Sequence, residues 1–156
     1  MLIRPATPAD HAALVSIWER SVRATHAFLS EADIASLHPL VADELASGSL
    51  ELWVLTEADE ARGWMGLSGA KIEGLFLAPE ARGRGGGRQL IDHAQALSGG
   101  ALSVDVNEQN PEARGFYERL GFVVTGRSDE DGGGRPFPLL HLRRPAPGPD
   151  GGSVAP

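Results

Sequence analysis

A cluster of arginines and glycines is the stretch whose residue types and spacing most directly indicate chemistry. It reads Arg82-Gly83-Arg84-Gly85-Gly86-Gly87-Arg88, follows a short apolar strand that ends at Leu77, and precedes an apolar helical pattern that begins near Gln89. Glycine lets successive backbone N–H groups turn toward one point, and a helix N-terminus behind them adds partial positive charge. The cluster therefore predicts a phosphate-binding loop, with a glycine-rich surface loop as the alternative.

Two familiar phosphate loops do not match this cluster. A Walker loop ends in Gly-Lys-Ser/Thr, whereas this loop ends in Gly87-Arg88-Gln89 and lacks both the lysine and the hydroxyl. A dinucleotide fingerprint, G-x-G-x-x-G, needs a glycine where this chain has Arg88. The pattern that does match is Arg82-x-x-Gly85-x-Gly87, preceded by Leu77-Ala78-Pro79.

This loop resembles the coenzyme A pyrophosphate loop of the GNAT superfamily, the acetyl-coenzyme A-dependent N-acyltransferases. A later stretch, from Asn110 to Phe122, resembles the family motif N-x-x-A-x-x-F/L-Y-x-x-x-G-F. The resemblance covers most of residues 1–143, and further short sequence segments resemble those of a narrower bacterial group of the family. It implies acetyl-coenzyme A as cofactor and the GNAT fold, an α/β (α+β) fold with a mixed, mostly antiparallel sheet of about seven strands and helices on both faces.

Periodicity along the chain predicts the element order β-α-α-β-β-β-α-β-α-β-β in one domain, residues 1–143, followed by a proline- and glycine-rich flexible tail, residues 144–156. Cap patterns start helices at Thr7 to Asp10, Ser30 to Asp33 and Asn110 to Pro111. Alternating patterns predict strands at 1–4, 50–56, 62–68, 72–77, 102–106, 122–126 and 138–142, with 57–61 as a hairpin loop and 129–134 as a flexible segment.

The resemblance also assigns catalytic roles. It implies that the Tyr117 hydroxyl acts as general acid near the coenzyme sulfur; the alternative is an aromatic core residue beside Phe116. It implies that Glu73 acts as a base through water; the alternatives are a plain surface residue at that position, or Glu108 as the base. A backbone N–H near Phe76 or Leu77 would bind the thioester carbonyl. The implied cofactor-binding residues are Leu75, Phe76, Leu77, Arg82, Gly83, Arg84, Gly85, Gly86, Gly87, Arg88, Asn110, Ala113 and Phe116.

Proton energetics limit these roles. Proton transfer from a tyrosine of pKa about 10 to a thiolate of pKa about 8.5 is unfavourable by roughly 2 kcal/mol of free energy. We therefore expect the tyrosine to donate a hydrogen bond to the thiolate before any proton transfer. A lysine-like amine of pKa about 10.4 costs about 4.6 kcal/mol to present uncharged at pH 7, so a base or a selective site must help.

The acceptor side is less defined. The resemblance implies substrate contacts for His26, Phe28 and Asn107, with Trp18 as a lesser candidate; a structural histidine is the alternative for His26. The five histidines share no metal-ligand spacing with each other or with carboxylates, so we expect no metal.

Composition narrows the function classes. A net charge of −7 with Lys71 as the single lysine disfavours nucleic acid and favours a cationic small-molecule or peptide amine. With no cysteine and no serine in a nucleophile motif, we expect direct acetyl transfer to a primary amine in a ternary complex. The alternatives are a non-catalytic coenzyme A-binding module, an acetyltransferase of protein N-termini, lysines or charged tRNA, and an unrelated phosphate-binding protein. No apolar run is long enough to span a membrane and no export leader is recognisable, so we expect a cytoplasmic protein; the oligomeric state, including a homodimer, is left open.

Overall fold

The structure, a computed structural model, describes residues 1–147. It is a mixed α/β fold with four α-helices and a seven-stranded open sheet in this part of the chain. The strands are β1 (Leu2–Pro5), β2 (Glu51–Glu57), β3 (Glu60–Ser68), β4 (Lys71–Leu77), β5 (Leu102–Asn107), β6 (Val123–Ser128) and β7 (Leu139–Arg144). The helices are α1 (His11–Thr25), α2 (Glu31–Ser47), α3 (Gly86–Ser98) and α4 (Pro111–Arg119). The predicted element order and strand number are confirmed.

The chain divides into two compact units. The first comprises Met1–Ser68 and Ile72–Ile91, and the second comprises Gly69–Lys71 and the chain from Asp92 onward. This division does not coincide with the predicted boundary after residue 143, which stays a prediction. Part of the predicted tail, residues 148–156, lies outside the described residues.

In the first unit the strand order is β1-β2-β3-β4, and β1/β2 and β2/β3 pair antiparallel. Apolar side chains of α1 and α2 bury their faces in one cluster with Val54 and Trp64. The Trp64 indole Nε1–H donates to the carbonyl of Leu14 at 3.0 Å, so the one polar atom of this large side chain is satisfied inside the cluster. Burial of such a helix stripe, rather than intrinsic propensity, supplies most of the stability of these helices.

The helix ends follow the predicted cap residues. Ser30 accepts a hydrogen bond from the Asp33 backbone N–H at 3.1 Å, while the Asp33 carboxylate accepts from the Ser30 backbone N–H at 2.9 Å. Gly48 ends α2 in the left-handed region at φ 76°. At the other predicted start, Asp10 accepts from the backbone N–H of Thr7 at 2.7 Å, and a short 3-10 turn (Pro8–Asp10) precedes α1.

The hairpin between β2 and β3 is tighter than the sequence predicts. The expected loop of five residues is a two-residue turn at Ala58 and Asp59, with φ 53° and 64°, and Glu57 pairs directly with Glu60. Both positive φ values belong to the turn type whose twist matches that of the flanking strands. The polar composition of residues 57–61 predicted a loop, but the strands pair as far as Glu57 and Glu60 and leave only two residues in the turn.

In the second unit the strand order is β5-β7-β6, and both pairs are antiparallel. Asn110 caps α4, Pro111 occupies its first position, and Gly121 follows it at φ 95°. The segment 129–134, predicted to be flexible, contains a hydrogen-bonded turn in which the Asp131 carboxylate accepts from the N–H groups of Gly133 and Arg135 at 2.9 and 2.8 Å.

Candidate active site

The arginine and glycine loop follows β4 in the first unit. A 3-10 turn (Pro79–Ala81) leads into it, and Gly83 and Gly85 both adopt left-handed backbone, at φ 76° and 84°. A side chain at either position would be strained, whereas glycine adopts this conformation readily. The carbonyl of Gly85 accepts from the N–H of Gln89 at 3.0 Å, so the loop passes directly into the first turn of α3. Alternating backbone of this kind before a helix N-terminus suits an anion such as pyrophosphate.

Helix α3 begins at Gly86, three residues before the predicted start. Gly86 is buried, and a Cβ atom built there would lie 2.5 Å from Cδ2 of Leu55, a fully buried residue of β2. The helix terminus therefore approaches the sheet more closely than any residue with a side chain would permit. This contact with Leu55, which no local sequence pattern reveals, explains why the helix begins with a glycine at position 86.

The three arginines of the loop differ in their surroundings. Both oxygens of the Glu57 carboxylate accept from the Arg84 guanidinium, one of them at 2.9 Å from Nη1. This hydrogen bond raises the pKa of Arg84 and lowers the pKa of Glu57. Arg82 and Arg88 are exposed. Sequence reasoning missed Glu57, because 27 positions separate it from Arg84 and no local pattern links them.

Strand β4 carries four further predicted site residues. Leu75, Phe76 and Leu77 are half-buried, and the Phe76 ring lies 5.1 Å from the Trp64 ring. Phe76 therefore also packs against the helix-sheet core of the first unit. Glu73 is exposed on the same strand.

The second motif provides Tyr117 on α4 and Asn110 at the N-cap of that helix, both in the second unit. Tyr117 is 7% exposed, and its ring lies 5.0 Å from that of Phe116 and 5.2 Å from that of Phe122, edge to face in both cases. Burial raises the pKa of the Tyr117 hydroxyl above its ordinary value of 10. The Asn110 side-chain oxygen accepts from the N–H of Ala113 at 3.1 Å, so this residue has a structural role as helix cap.

Two other predicted residues of the second unit also make local contacts. The Asn107 side-chain oxygen accepts from the N–H of Gln109 at 2.9 Å and forms the turn before α4. Glu108 accepts from the Arg127 guanidinium at 2.7 and 3.1 Å, which lowers the pKa of Glu108. A carboxylate held in this way is a weaker base than an unpaired one.

The predicted acceptor residues His26 and Phe28 lie together, with ring centroids 5.3 Å apart, after the end of α1. Burial lowers the pKa of His26, so its imidazole is neutral at pH 7. The Thr25 hydroxyl donates to the carbonyl of Ser21 at 2.8 Å and lies 2.7 Å from His26 Nδ1. Since the hydroxyl has one proton, it accepts from Nδ1–H, which leaves the imidazole lone pair on Nε2.

A groove of about 410 Å³ lies elsewhere in the first unit, between α1 and α2, and Val15, Glu19 and His38 contribute to its lining. None of the predicted site residues lines it. Among residues 1–147, no group of three or more metal-ligating side chains is present, and no helix is long and apolar enough to cross a membrane.

Comparison with known proteins identifies the family. A model described as acetyltransferase (GNAT) domain matches residues 26–139. The chain belongs to the GNAT acetyltransferase family. It is similar to peptidyl-lysine N-acetyltransferase YjaB of Salmonella typhimurium, with 47% identity over 92% of this chain and 97% of the relative. The protein of the same name from Escherichia coli is 45% identical over 90% of this chain and 94% of its own. The solution structure of apo-form YjaB from Escherichia coli has a TM-score of 0.83 at 43% identity, covering 93% of this chain and 97% of that one.

Membership in the GNAT family confirms the predicted fold, the predicted N-acetyltransferase activity and acetyl-coenzyme A as its donor. The loop from Arg82 to Arg88 fits the pyrophosphate of that donor, because its left-handed glycines and the N-terminus of α3 form a cradle for an anion. The assignment of individual site residues, by contrast, depends on the motif resemblance and stays a prediction.

Proposed function

We propose that this acetyltransferase transfers acetyl groups to the ε-amine of lysine in peptides or proteins. The observation that carries the proposal is the similarity, over at least nine-tenths of the chain, to two relatives named peptidyl-lysine N-acetyltransferase. The acidic net charge of −7 supports a cationic acceptor. A primary amine that is not part of a peptide is the second candidate.

Acetyl-coenzyme A supplies an activated thioester in this reaction. In the proposed direct transfer, the acceptor nitrogen bonds to the carbonyl carbon, the carbon–sulfur bond breaks, and the nitrogen loses a proton. The backbone of the loop from Arg82 to Arg88 would bind the pyrophosphate, with Asn110, Ala113 and Phe116 contacting the rest of the coenzyme. Leu75, Phe76 and Leu77 of β4 would position the thioester, with a backbone N–H donating to its carbonyl oxygen.

Tyr117 would donate a hydrogen bond to the departing sulfur. Because burial raises the pKa of Tyr117, complete transfer of its proton to a thiolate of pKa about 8.5 is less favourable than for an exposed tyrosine. We therefore assign Tyr117 the stabilisation of negative charge on sulfur. The thiolate would obtain its proton afterwards, from solvent or from the proton released by the amine.

The amine must lose protons before and after it attacks. Glu73 would accept one through water, as an exposed carboxylate on β4. His26, neutral and with its lone pair on Nε2, would accept a hydrogen bond from the acceptor, and Phe28 beside it would contact the aliphatic part of a lysine side chain. Asn107 would contact the acceptor through its amide nitrogen, because its oxygen already accepts from Gln109.

The test is an acetyl-coenzyme A assay with matched acceptors: a lysine-containing peptide, the same peptide with arginine for lysine, the peptide with an acetylated N-terminus, and a free diamine. We expect free thiol to appear only where the side-chain amine is present, and mass spectrometry to locate the acetyl group on the lysine. Acetylation of the N-terminus alone, or of free diamines alone, would contradict the peptidyl-lysine acceptor. Binding of acetyl-coenzyme A without transfer to any of these amines would favour a non-catalytic coenzyme A-binding module.

The proposal also covers the localisation, the partners and the oligomeric state of the enzyme. We propose a cytoplasmic protein, because its donor is an intracellular metabolite, and no nucleic-acid substrate, because the chain is acidic with a single lysine. A homodimer is part of the proposal. The exposed Val123 and Val124 on β6, the last strand in its sheet order, would suit such a contact, and sedimentation of the purified protein would measure it.

A further inference from the structure

Three strands of the second unit bring together a serine, a histidine and an aspartate, none of which is assigned a part in acetyl transfer. Asp105 on β5 is directly paired with His141 on β7. Ser128 on β6 is paired with Leu139, two residues from His141, so Ser128 and His141 are diagonal neighbours on one face of the sheet. Cross-strand pairing thus brings three side chains that are far apart in sequence to one face of the sheet.

The three side chains form one hydrogen-bonded chain. Ser128 Oγ lies 2.7 Å from His141 Nε2, and His141 Nδ1 lies 2.6 Å from Asp105 Oδ1. A carboxylate accepts only, so Nδ1 carries the proton that it donates to Asp105. In the tautomer that this bond selects, Nε2 has the lone pair and accepts from the serine hydroxyl. This is the tautomer and the order of a nucleophile, a general base and a carboxylate that orients the base.

Asp105 is held in its ionised form. Its Oδ2 also lies 3.1 Å from Nζ of Lys71. Burial alone would raise the pKa of Asp105, but the hydrogen bonds from His141 and Lys71 outweigh it and lower the pKa below the ordinary value. An ionised carboxylate at this position stabilises the imidazolium that forms when His141 takes a proton.

The local backbone accommodates the imidazole ring and leaves it accessible. Gly126 is paired with His141, and a Cβ atom built at Gly126 would lie 3.4 Å from Cδ2 of that ring. A bulge at Thr125 shifts the strand register here, and the Thr125 hydroxyl donates to the His141 carbonyl at 3.2 Å. The His141 side chain is 36% exposed, so a small molecule in solvent can reach it.

We propose that Ser128, His141 and Asp105 form a second catalytic site, which hydrolyses small, uncharged carboxylic esters. Ser128 Oγ bonds to the ester carbonyl carbon while His141 Nε2 takes the hydroxyl proton; the bond to the leaving alkoxide breaks, and the alkoxide takes that proton. Water then attacks the acyl-serine, His141 takes a proton from the water and returns it to Ser128 Oγ, and the free acid leaves. The activity needs only ester and water, and is independent of the acetyl transfer described above.

The first experiment measures hydrolysis of p-nitrophenyl acetate and labelling by a fluorophosphonate, both without coenzyme A. We expect labelling at Ser128, complete loss of labelling in Ser128→Ala, and at least about a hundredfold slower enzymatic hydrolysis in His141→Gln. Ser103→Ala, a serine change on β5, is the matched control and keeps both signals. Acetyl transfer from acetyl-coenzyme A stays at the wild-type rate in Ser128→Ala. Labelling of a residue other than 128, or hydrolysis unaffected by Ser128→Ala, overturns the proposal.

A second experiment does not depend on an ester substrate. Because the chain has no cysteine, Ser128→Cys and Ser103→Cys each introduce a single thiol. We expect iodoacetamide to alkylate the thiol at position 128 at least about tenfold faster at pH 7, and His141→Gln to remove that advantage, because His141 promotes thiolate formation. Equal alkylation rates at positions 128 and 103 would show that the hydrogen bonds among Ser128, His141 and Asp105 only join the strands. That result would overturn the proposal. Circular dichroism of each variant confirms the fold.

Discussion

The loop from Arg82 to Arg88 and the motif from Asn110 to Tyr117 are the two stretches proposed to bind the cofactor, and they are built in different ways. The loop relies on backbone, with left-handed Gly83 and Gly85 ahead of α3, and its side chains contribute little to the core. In the α4 motif, Tyr117 packs between two phenylalanines and Asn110 caps the helix. Tyr117 and Asn110 therefore stabilise the fold and are also proposed to contact the cofactor. Only substitutions that remove one of these roles and keep the other are informative.

The largest expected effect tests this separation at Tyr117. Tyr117→Phe keeps the ring that packs against Phe116 and Phe122 but removes the hydroxyl that would stabilise negative charge on sulfur. We expect kcat for acetyl transfer to fall about 10²-fold, with KM for acetyl-coenzyme A and the melting temperature almost unchanged.

Phe116→Leu is the matched control, because it disturbs packing beside Tyr117 without touching the hydroxyl. We expect it to lower stability more than Tyr117→Phe does, and turnover less. If Tyr117→Phe leaves kcat at the wild-type value, Tyr117 is a packing residue only and the assignment is wrong.

A smaller effect distinguishes the arginines of the loop. Arg82→Ala would remove a phosphate contact and raise KM for acetyl-coenzyme A about tenfold, equivalent to about 1.4 kcal/mol, with kcat unchanged. Arg84→Ala is expected to raise KM for acetyl-coenzyme A less than tenfold, because both oxygens of Glu57 already hold the Arg84 guanidinium.

Glu57→Gln sharpens this comparison. It removes the charge that pairs with Arg84, so KM for acetyl-coenzyme A should fall below the wild-type value if Arg84 can then reach the phosphates. A KM increase of tenfold or more in Arg84→Ala, with no effect of Glu57→Gln, would contradict the inference that Glu57 holds Arg84 away from the phosphates.

The smallest expected effect concerns the helix cap. Asn110→Ala leaves the N–H of Ala113 without its side-chain acceptor and should lower the free energy of unfolding by about 1 kcal/mol, or the melting temperature by roughly 2 to 4 °C. Asn110→Asp, which can still accept from Ala113, is the control and should restore most of the stability. An equal melting temperature in Asn110→Ala and wild type would contradict the stabilising role of this cap.

Prediction from sequence succeeded where local chemistry decides the structure. Ser30 with Asp33 starts α2, Gly48 ends it, and Asn110 with Pro111 starts α4, as predicted, because the groups that satisfy helix ends lie within a few positions of those ends. It was less accurate at the hairpin, where strand pairing reduced the expected five-residue loop to Ala58 and Asp59.

By itself, the sequence determined the family, the donor and the positions of most helices and strands, because spaced motifs, caps and hydrophobic periods are local properties. Only the tertiary structure showed that Gly86 packs against Leu55, that Glu57 holds Arg84, and that Asp105, His141 and Ser128 share one face of the sheet. These contacts join residues that are 13 to 36 positions apart. Strand order and register decide which distant residues meet, and no local pattern encodes them.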